Sequence, residues 1–191
     1  MIMPTKLKKW KLLEKSDASP SPHFPIEKRK YELPNGKIVD DFYVTTLADS
    51  VHIIPITTDR KIVMIRMYKQ GVDDFIIQFP AGRYENKHID ILDTAVAELE
   101  EETGIKTEKN GLIHIGSLSM ASTKASEIIH YFTVSDVSLN SSQNLDPNEE
   151  IEVLTLTPQE IDNAIVDGSI WCAPTISGWH LLKSKYLNLL M

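Results

Sequence analysis

The chain has a single cysteine, Cys172, in 191 residues. An internal disulfide is therefore excluded. A lone thiol fits a reducing compartment, and the reading adopted for it is a small buried hydrophobe rather than a nucleophile. Positive charge is also scarce: 20 Lys and Arg stand against 27 Asp and Glu, for a net charge of −7. That balance does not suggest a nucleic-acid surface. No apolar run approaches the ~18 residues of a membrane span, so no membrane partner is expected. The lysine-rich start lacks the apolar core and cleavage site of a secretory leader, and the expected location is the cytoplasm. There is no internal repeat or low-complexity tract. The apolar fraction of 42% and the charged fraction of 25% are ordinary for a globular chain. The length suits one domain, or one domain with a small appendage.

What is present is organised around Phe79 to Ile105. The pattern predicts a strand end, a tight turn at Pro80-Ala81-Gly82, a loop, then a helix of about four turns. Asp90 is the expected N-cap, Asp93 suits the positive end of the helix dipole, and Gly104 suits a left-handed C-cap. At about 100° per residue, Leu92, Ala95, Val96 and Leu99 form one apolar stripe. Glu98 and Glu102 fall about 40° apart at its edge, with Glu101 about 60° further round. Glu100 points nearly the opposite way. Like charges at these spacings repel by a few tenths of a kcal/mol per pair in water, and more when partly buried. A solvated helix face is the plain reading of three such glutamates. Their position against a core stripe, beside a turn that exposes backbone carbonyls, argues instead for a hard divalent cation. Such ions take oxygen ligands and commonly share their shell with substrate phosphates.

This stretch resembles the box of the Nudix hydrolases, G-x5-E-x7-R-E-U-x-E-E-x-G-U with U aliphatic. Gly82 opens it, and Glu98-Leu99-Glu100-Glu101-Glu102-Thr103-Gly104-Ile105 matches its second half without a gap. The Pro-Ala-Gly turn with Glu85 three residues on resembles the branch that hydrolyses ADP-ribose and related nucleoside diphosphate sugars. There are two departures. Ala97 stands at the box arginine. The run from Gly82 to Glu98 is one residue long, so His88 or Ile89 replaces the first box glutamate. The resemblance implies an α/β/α sandwich with a mixed sheet over residues 47–191. It also implies a small antiparallel N-terminal sheet over residues 1–46, which in that branch serves dimerisation, and so a homodimer.

The flanking sequence is compatible with that outline. Residues 7–14 read as a strand or a short helix. Residues 16–25 hold three prolines and three serines and read as a loop. Two strands flank Pro34-Asn35-Gly36, a hairpin signal. V-H-I-I-P-I-T and K-I-V-M-I-R-M-Y read as a pair of central strands covered on both faces. F-I-I-Q-F leads into the turn. Two strands follow the glutamate helix, residues 136–150 read as a polar loop, and I-E-V-L-T-L is a last strand. Thr157-Pro158-Gln159-Glu160 opens a helix with a capping-box pattern. A final helix is expected over roughly 175–190.

By resemblance and spacing together, Glu98, Glu102 and the Ala81 carbonyl are the expected ligands for Mg²⁺ or Mn²⁺. Glu101 is a third ligand or the base that orients water. Glu149, then Glu150, are the candidates for a catalytic base on a loop, against the alternative of an acidic solvated loop. Lys69, Arg83, Glu85 and Glu127 are candidates to contact substrate, with loop or edge-strand charges as the alternative for the two glutamates. His88 reads as an exposed loop histidine, since Mg²⁺ does not favour imidazole. Trp10, Phe24 and Tyr43 could stack a base, or simply pack. The implied reaction is metal-dependent hydrolysis of the pyrophosphate of a nucleotide sugar such as ADP-ribose. The rival, motivated by Ala97, is a nucleotide-binding module without catalysis on the same fold.

Overall fold

The computed structural model describes residues 7–84, 90–139 and 141–191. The chain forms two compact units. The first holds residues 1–47 and also takes in 119–127; the second holds 48–118 and 128–191.

The first unit is a three-stranded antiparallel sheet, β1 (Lys11–Asp17), β2 (Ile26–Glu32) and β3 (Ile38–Thr45). The β2–β3 hairpin turns where the sequence predicts it: Gly36 has φ 81° and Asn35 Oδ1 accepts the Lys37 N–H at 3.0 Å. The ambiguous segment 7–14 resolves as the start of β1. Segment 119–127 joins the unit through Thr45, whose N–H donates to the Lys124 carbonyl and whose carbonyl accepts from the Ser126 N–H. Trp10 does not stand apart for stacking; it packs edge-on against Tyr31 and Phe42, with ring centroids 6.0 and 5.4 Å away. Phe24 and Tyr43 are about half exposed.

The second unit is a seven-stranded mixed sheet. Its main path is β10 (Ile151–Leu156), β5 (Ile62–Lys69), β4 (Ser50–Thr57), β9 (Ile128–Val137) and β8 (Ile113–Ser119), with β6 (Asp74–Gln78) on β5 and β7 (Ala81–Arg83) on β4. β4 and β9 run parallel; the registered pairs of β4 with β5 and β7, and of β5 with β6 and β10, are antiparallel. Every residue of β4 is buried, as a largely apolar central strand requires. One face carries Val51, Ile53, Val63 and Phe132 against Ala95, Leu99 and Ile105 around helix α1 (Ile91–Thr103). The other carries Ile54, Ile56, Met64, Phe79 and Tyr131 against helices α2 (Pro158–Val166) and α3 (Ala173–Tyr186). Each fully buried aliphatic side chain in these layers contributes about 1.5–3 kcal/mol. This is the expected α/β/α sandwich. Among the described residues no helix is long and apolar enough to cross a membrane.

Three local readings change. β4 and β5 meet only next to their turn, at Ile56 and Ile62. Further along, β4 takes β7 as its neighbour instead, and β5 takes β6, so the pair splays apart. The Pro-Ala-Gly segment is correspondingly not a tight turn. After a bend at Pro80 the chain continues as β7, registering Ala81 with His52 and Gly82 with Val51. The last helix stops at Tyr186 and ends in a 3₁₀ turn over Leu187–Leu190.

Both ends of α1 are made as the sequence predicts. Asp90 accepts from the Leu92 and Asp93 N–H groups, and Asp93 returns a bond to the Asp90 N–H, a reciprocal box. Lys109 pairs with both carboxylates. Gly104 caps the other end with φ 73°. Removing the cap tests how far it holds the helix: Asp90→Ala should lower stability by about 1 kcal/mol. Asp90→Asn should keep most of that, read as the urea midpoint of each variant.

Candidate active site

The bare Cα of Gly82 decides how near α1 can come to β7. A Cβ built there would lie 1.9 Å from Glu98 Oε1. The Glu98 carboxylate therefore occupies the space that any other residue at 82 would fill. One turn later Glu102 accepts the Ala81 N–H at 2.8 Å through Oε2. Two glutamates four residues apart thus lie against a strand three residues long. Helix geometry puts Glu102 at the edge of the apolar stripe, yet it is only 3% exposed. The buried face of α1 runs through Ala95, Leu99 and Glu102, so a carboxylate sits where an apolar side chain would continue the core.

Burial is the main cause that pushes the Glu102 carboxyl up to about 8. The Ala81 N–H opposes it, the Glu98 carboxylate adds to it, the Lys69 ammonium opposes it, and the Glu149 carboxylate adds to it. The structure thereby brings together Ala81, Glu98, Glu102, Lys69 and Glu149. Glu101 follows on the same turn of α1, half-buried. Ala97 is half-buried and supplies no charge; the cation that acts on Glu102 is Lys69, at the end of β5. Arg83 is exposed at the end of β7 and forms no ion pair among the described residues. Glu150 is exposed beside Glu149. Glu127 is half-buried and belongs to the segment grouped with the first unit. Glu85, His88 and Ile89 lie outside the described residues.

Among the described residues no three acidic, histidine or cysteine side chains close round one point. They do leave a charge imbalance. Glu102 is buried, receives one neutral N–H, and lies in the field of two further carboxylates and one lysine. Carboxylate and carbonyl oxygens are the donors that hard divalent ions take, and a cation here would remove the imbalance. By the chemistry of its donors the site fits such an ion.

One group of contacts carries no signal in the sequence. Ser141, Gln143 and Asn144 all bond to backbone carbonyls at the C-terminal end of α1. They belong to a stretch read only as polar loop, and their partners lie about 40 residues upstream.

The NUDIX domain pattern matches residues 46–171. The chain belongs to the Nudix family, as the carboxylate-lined helix against β7 and the sandwich around it lead one to expect. It is a Nudix hydrolase, 30% identical over 155 residues to the ADP-ribose pyrophosphatase of Bacillus subtilis (strain 168), covering 81% of this chain and 82% of that protein. It is also 32% identical over 159 residues to the methanol dehydrogenase activator of Bacillus methanolicus, covering 83% and 81%. A solved structure described as an ADP compounds hydrolase superposes with a TM-score of 0.82 over 97% of this chain and 98% of its own, at 22% identity. That last likeness is one of fold. The family and the pyrophosphatase relative weigh against the rival of a binding module without catalysis.

Two buried groups set how stability responds to pH when no metal is bound. Glu102 keeps its proton up to about 8 in the fold but releases it near 4.5 when unfolded. Stability falls with rising pH throughout that window. His52, buried with Nδ1 unpartnered, is held down to about 4 by burial and the nearby Lys69, against 6.5 unfolded. Its contribution rises with pH between those values. The two oppose each other below pH 6.5, and above it the Glu102 contribution continues. In EDTA, stability should decline from pH 6.5 to 8 by up to about 1.4 kcal/mol per unit. Urea unfolding at stepped pH checks this, and Glu102→Gln should flatten the decline.

Proposed function

We propose that this hydrolase cleaves the pyrophosphate of ADP-ribose or a related nucleoside diphosphate sugar, with Mg²⁺ or Mn²⁺ as cofactor. The observation that carries the reading is the placement of Glu98 and Glu102 against β7: one over the bare Cα of Gly82, the other on the Ala81 N–H. The names of the pyrophosphatase and of the ADP compounds hydrolase support the substrate class.

Glu98, Glu102, Glu101 and the Ala81 carbonyl would hold the metal. When bound, it would polarise the phosphate oxygens and make a water more acidic. Burial of Glu102 keeps bulk water from competing for the same oxygens. Lys69 would add a point charge for phosphate near Glu102, and Arg83 would offer a fork at the open end of β7. Glu149 is the preferred acceptor for the proton of the attacking water: it is exposed, and its charge is felt at Glu102. Water adds to one phosphorus, the bridging oxygen leaves with the other phosphate, and Glu149 takes the proton. ADP-ribose then gives AMP and ribose 5-phosphate.

The N-terminal sheet suits a role in pairing two copies. Every residue of β1 is exposed, and Trp10, Leu12, Leu13 and Ile38 present apolar surface. An exposed apolar edge of that kind is normally covered. The proposed setting is a cytoplasmic homodimer.

A panel of nucleotide sugars assayed for phosphate-monoester release, with Mg²⁺ or with EDTA, tests the reading. Turnover of ADP-ribose should require metal and fall at least about 100-fold in Glu102→Gln. Turnover that survives EDTA, or retained binding with no turnover of any substrate, would refute it.

A further inference from the structure

We infer that Gln143 is a positioning residue: its side-chain amide clamps the loop bearing Glu149 to the backbone of Glu102. The inference rests on the proposed function, in which Glu149 receives the proton.

A helix leaves the carbonyls of its last turn without intrahelical partners. In α1 the Glu100 carbonyl is taken by its own cap, the Gly104 N–H, at 2.8 Å. The next ones are taken by one distant segment. The Asn144 N–H donates to the Glu101 carbonyl at 2.9 Å, and Gln143 Nε2 donates to the Glu102 carbonyl at 2.7 Å. Ser141 Oγ donates to the carbonyl of the cap residue, Gly104. The approach is close: a Cβ on Gly104 would stand 2.1 Å from the Ser141 carbonyl oxygen. Glycine at 104 thus serves both the left-handed cap and the seating of this segment.

Gln143 differs from its neighbours in reaching two places. A primary amide has two N–H donors. One goes to Glu102 in α1, and the same nitrogen also donates to the Ile151 carbonyl at 3.2 Å, the first residue of β10. The loop between 143 and 151 carries both Glu149 and Glu150. Its two ends are therefore tied together and tied to the helix by one half-buried side chain. Within the loop, the Glu149 N–H donates to the Asp146 carbonyl at 2.9 Å, and Glu149 Oε2 accepts the Asp146 N–H at 3.3 Å. The loop is a short closed turn whose anchor is the backbone of the buried carboxylate residue itself. A displacement of Glu102 moves the loop with it, so the base and the metal-facing carboxylate keep a fixed relation. Reaction rates depend steeply on such relations, with a 1 Å displacement able to cost ~100-fold.

Gln143→Glu keeps the shape and removes both donors. Gln143→Lys keeps donors on a long chain. With ADP-ribose and Mg²⁺, Gln143→Glu should lower kcat roughly 10- to 100-fold with KM within about twofold, and Gln143→Lys should recover most of that loss. In a Glu149→Gln background the same Gln143→Glu change should cost less than about twofold, because the residue it positions is already gone. Thermal midpoints measured alongside separate misplacement from unfolding. An unchanged kcat in Gln143→Glu, or an equal loss in both backgrounds, would overturn the clamp while leaving the proposed function intact. No Mg²⁺-dependent turnover in the wild type would instead remove the proposed function, and the clamp with it.

Discussion

The site depends on how closely a helix can lie against a strand. α1 meets β7 at a glycine, and the gap left by the missing side chain is filled by the carboxylate of Glu98. That approach also puts Glu102 within reach of the Ala81 N–H and under the core side chains of the same face. Everything distinctive about the site follows from this. Burial makes the second carboxylate costly to ionise. The donor it has among the described residues, the Ala81 N–H, is neutral. Its neighbours along the helix carry the same charge.

Ala97 stands where the box carries an arginine, and it supplies no charge. A guanidinium at that point would offset charge on a box glutamate. Among the described residues the cation that acts on Glu102 is Lys69, at the far end of β5, where the strand has already parted from β4. A lysine gives a point charge where an arginine would give a fixed fork, so it neutralises without dictating a rotamer. Gly82 leaves room for the Glu98 carboxylate, and the N–H of Ala81 fixes Glu102. The helix end is held from outside as well, by a segment whose side chains and backbone take the carbonyls left over by the helix. Positioning thus draws on backbone groups in β7 and on the 141–144 segment.

Much of this architecture was readable along the chain. The Asp90 cap, the Gly104 cap, the Asn-Gly hairpin, the Thr157 box and the buried run of β4 are local or periodic signals, decided by a few neighbouring residues. The spacing of Glu98, Glu101 and Glu102 was readable for the same reason, since helix geometry alone puts them on one arc. The errors have a common origin. Pro80-Ala81-Gly82 reads as a turn because proline and glycine punctuate chains, yet β4 was available as a partner and drew Ala81–Arg83 into a strand. The pairing of β4 with β5 was overestimated because their proximity in sequence says nothing of β6 and β7 taking their places.

What the sequence determined alone was the identity and angular spacing of the carboxylates, the ends of the helix that bears them, and the strands that flank it. Only the tertiary structure decided which glutamate is buried, that Lys69 is the cation near it, that Glu149 lies within its field, and that Gln143 spans two elements. These are contacts between segments far apart in the chain. Their strength depends on distance and on exclusion of water, and neither is written in local composition; both appear only when the sheet closes and α1 settles on it.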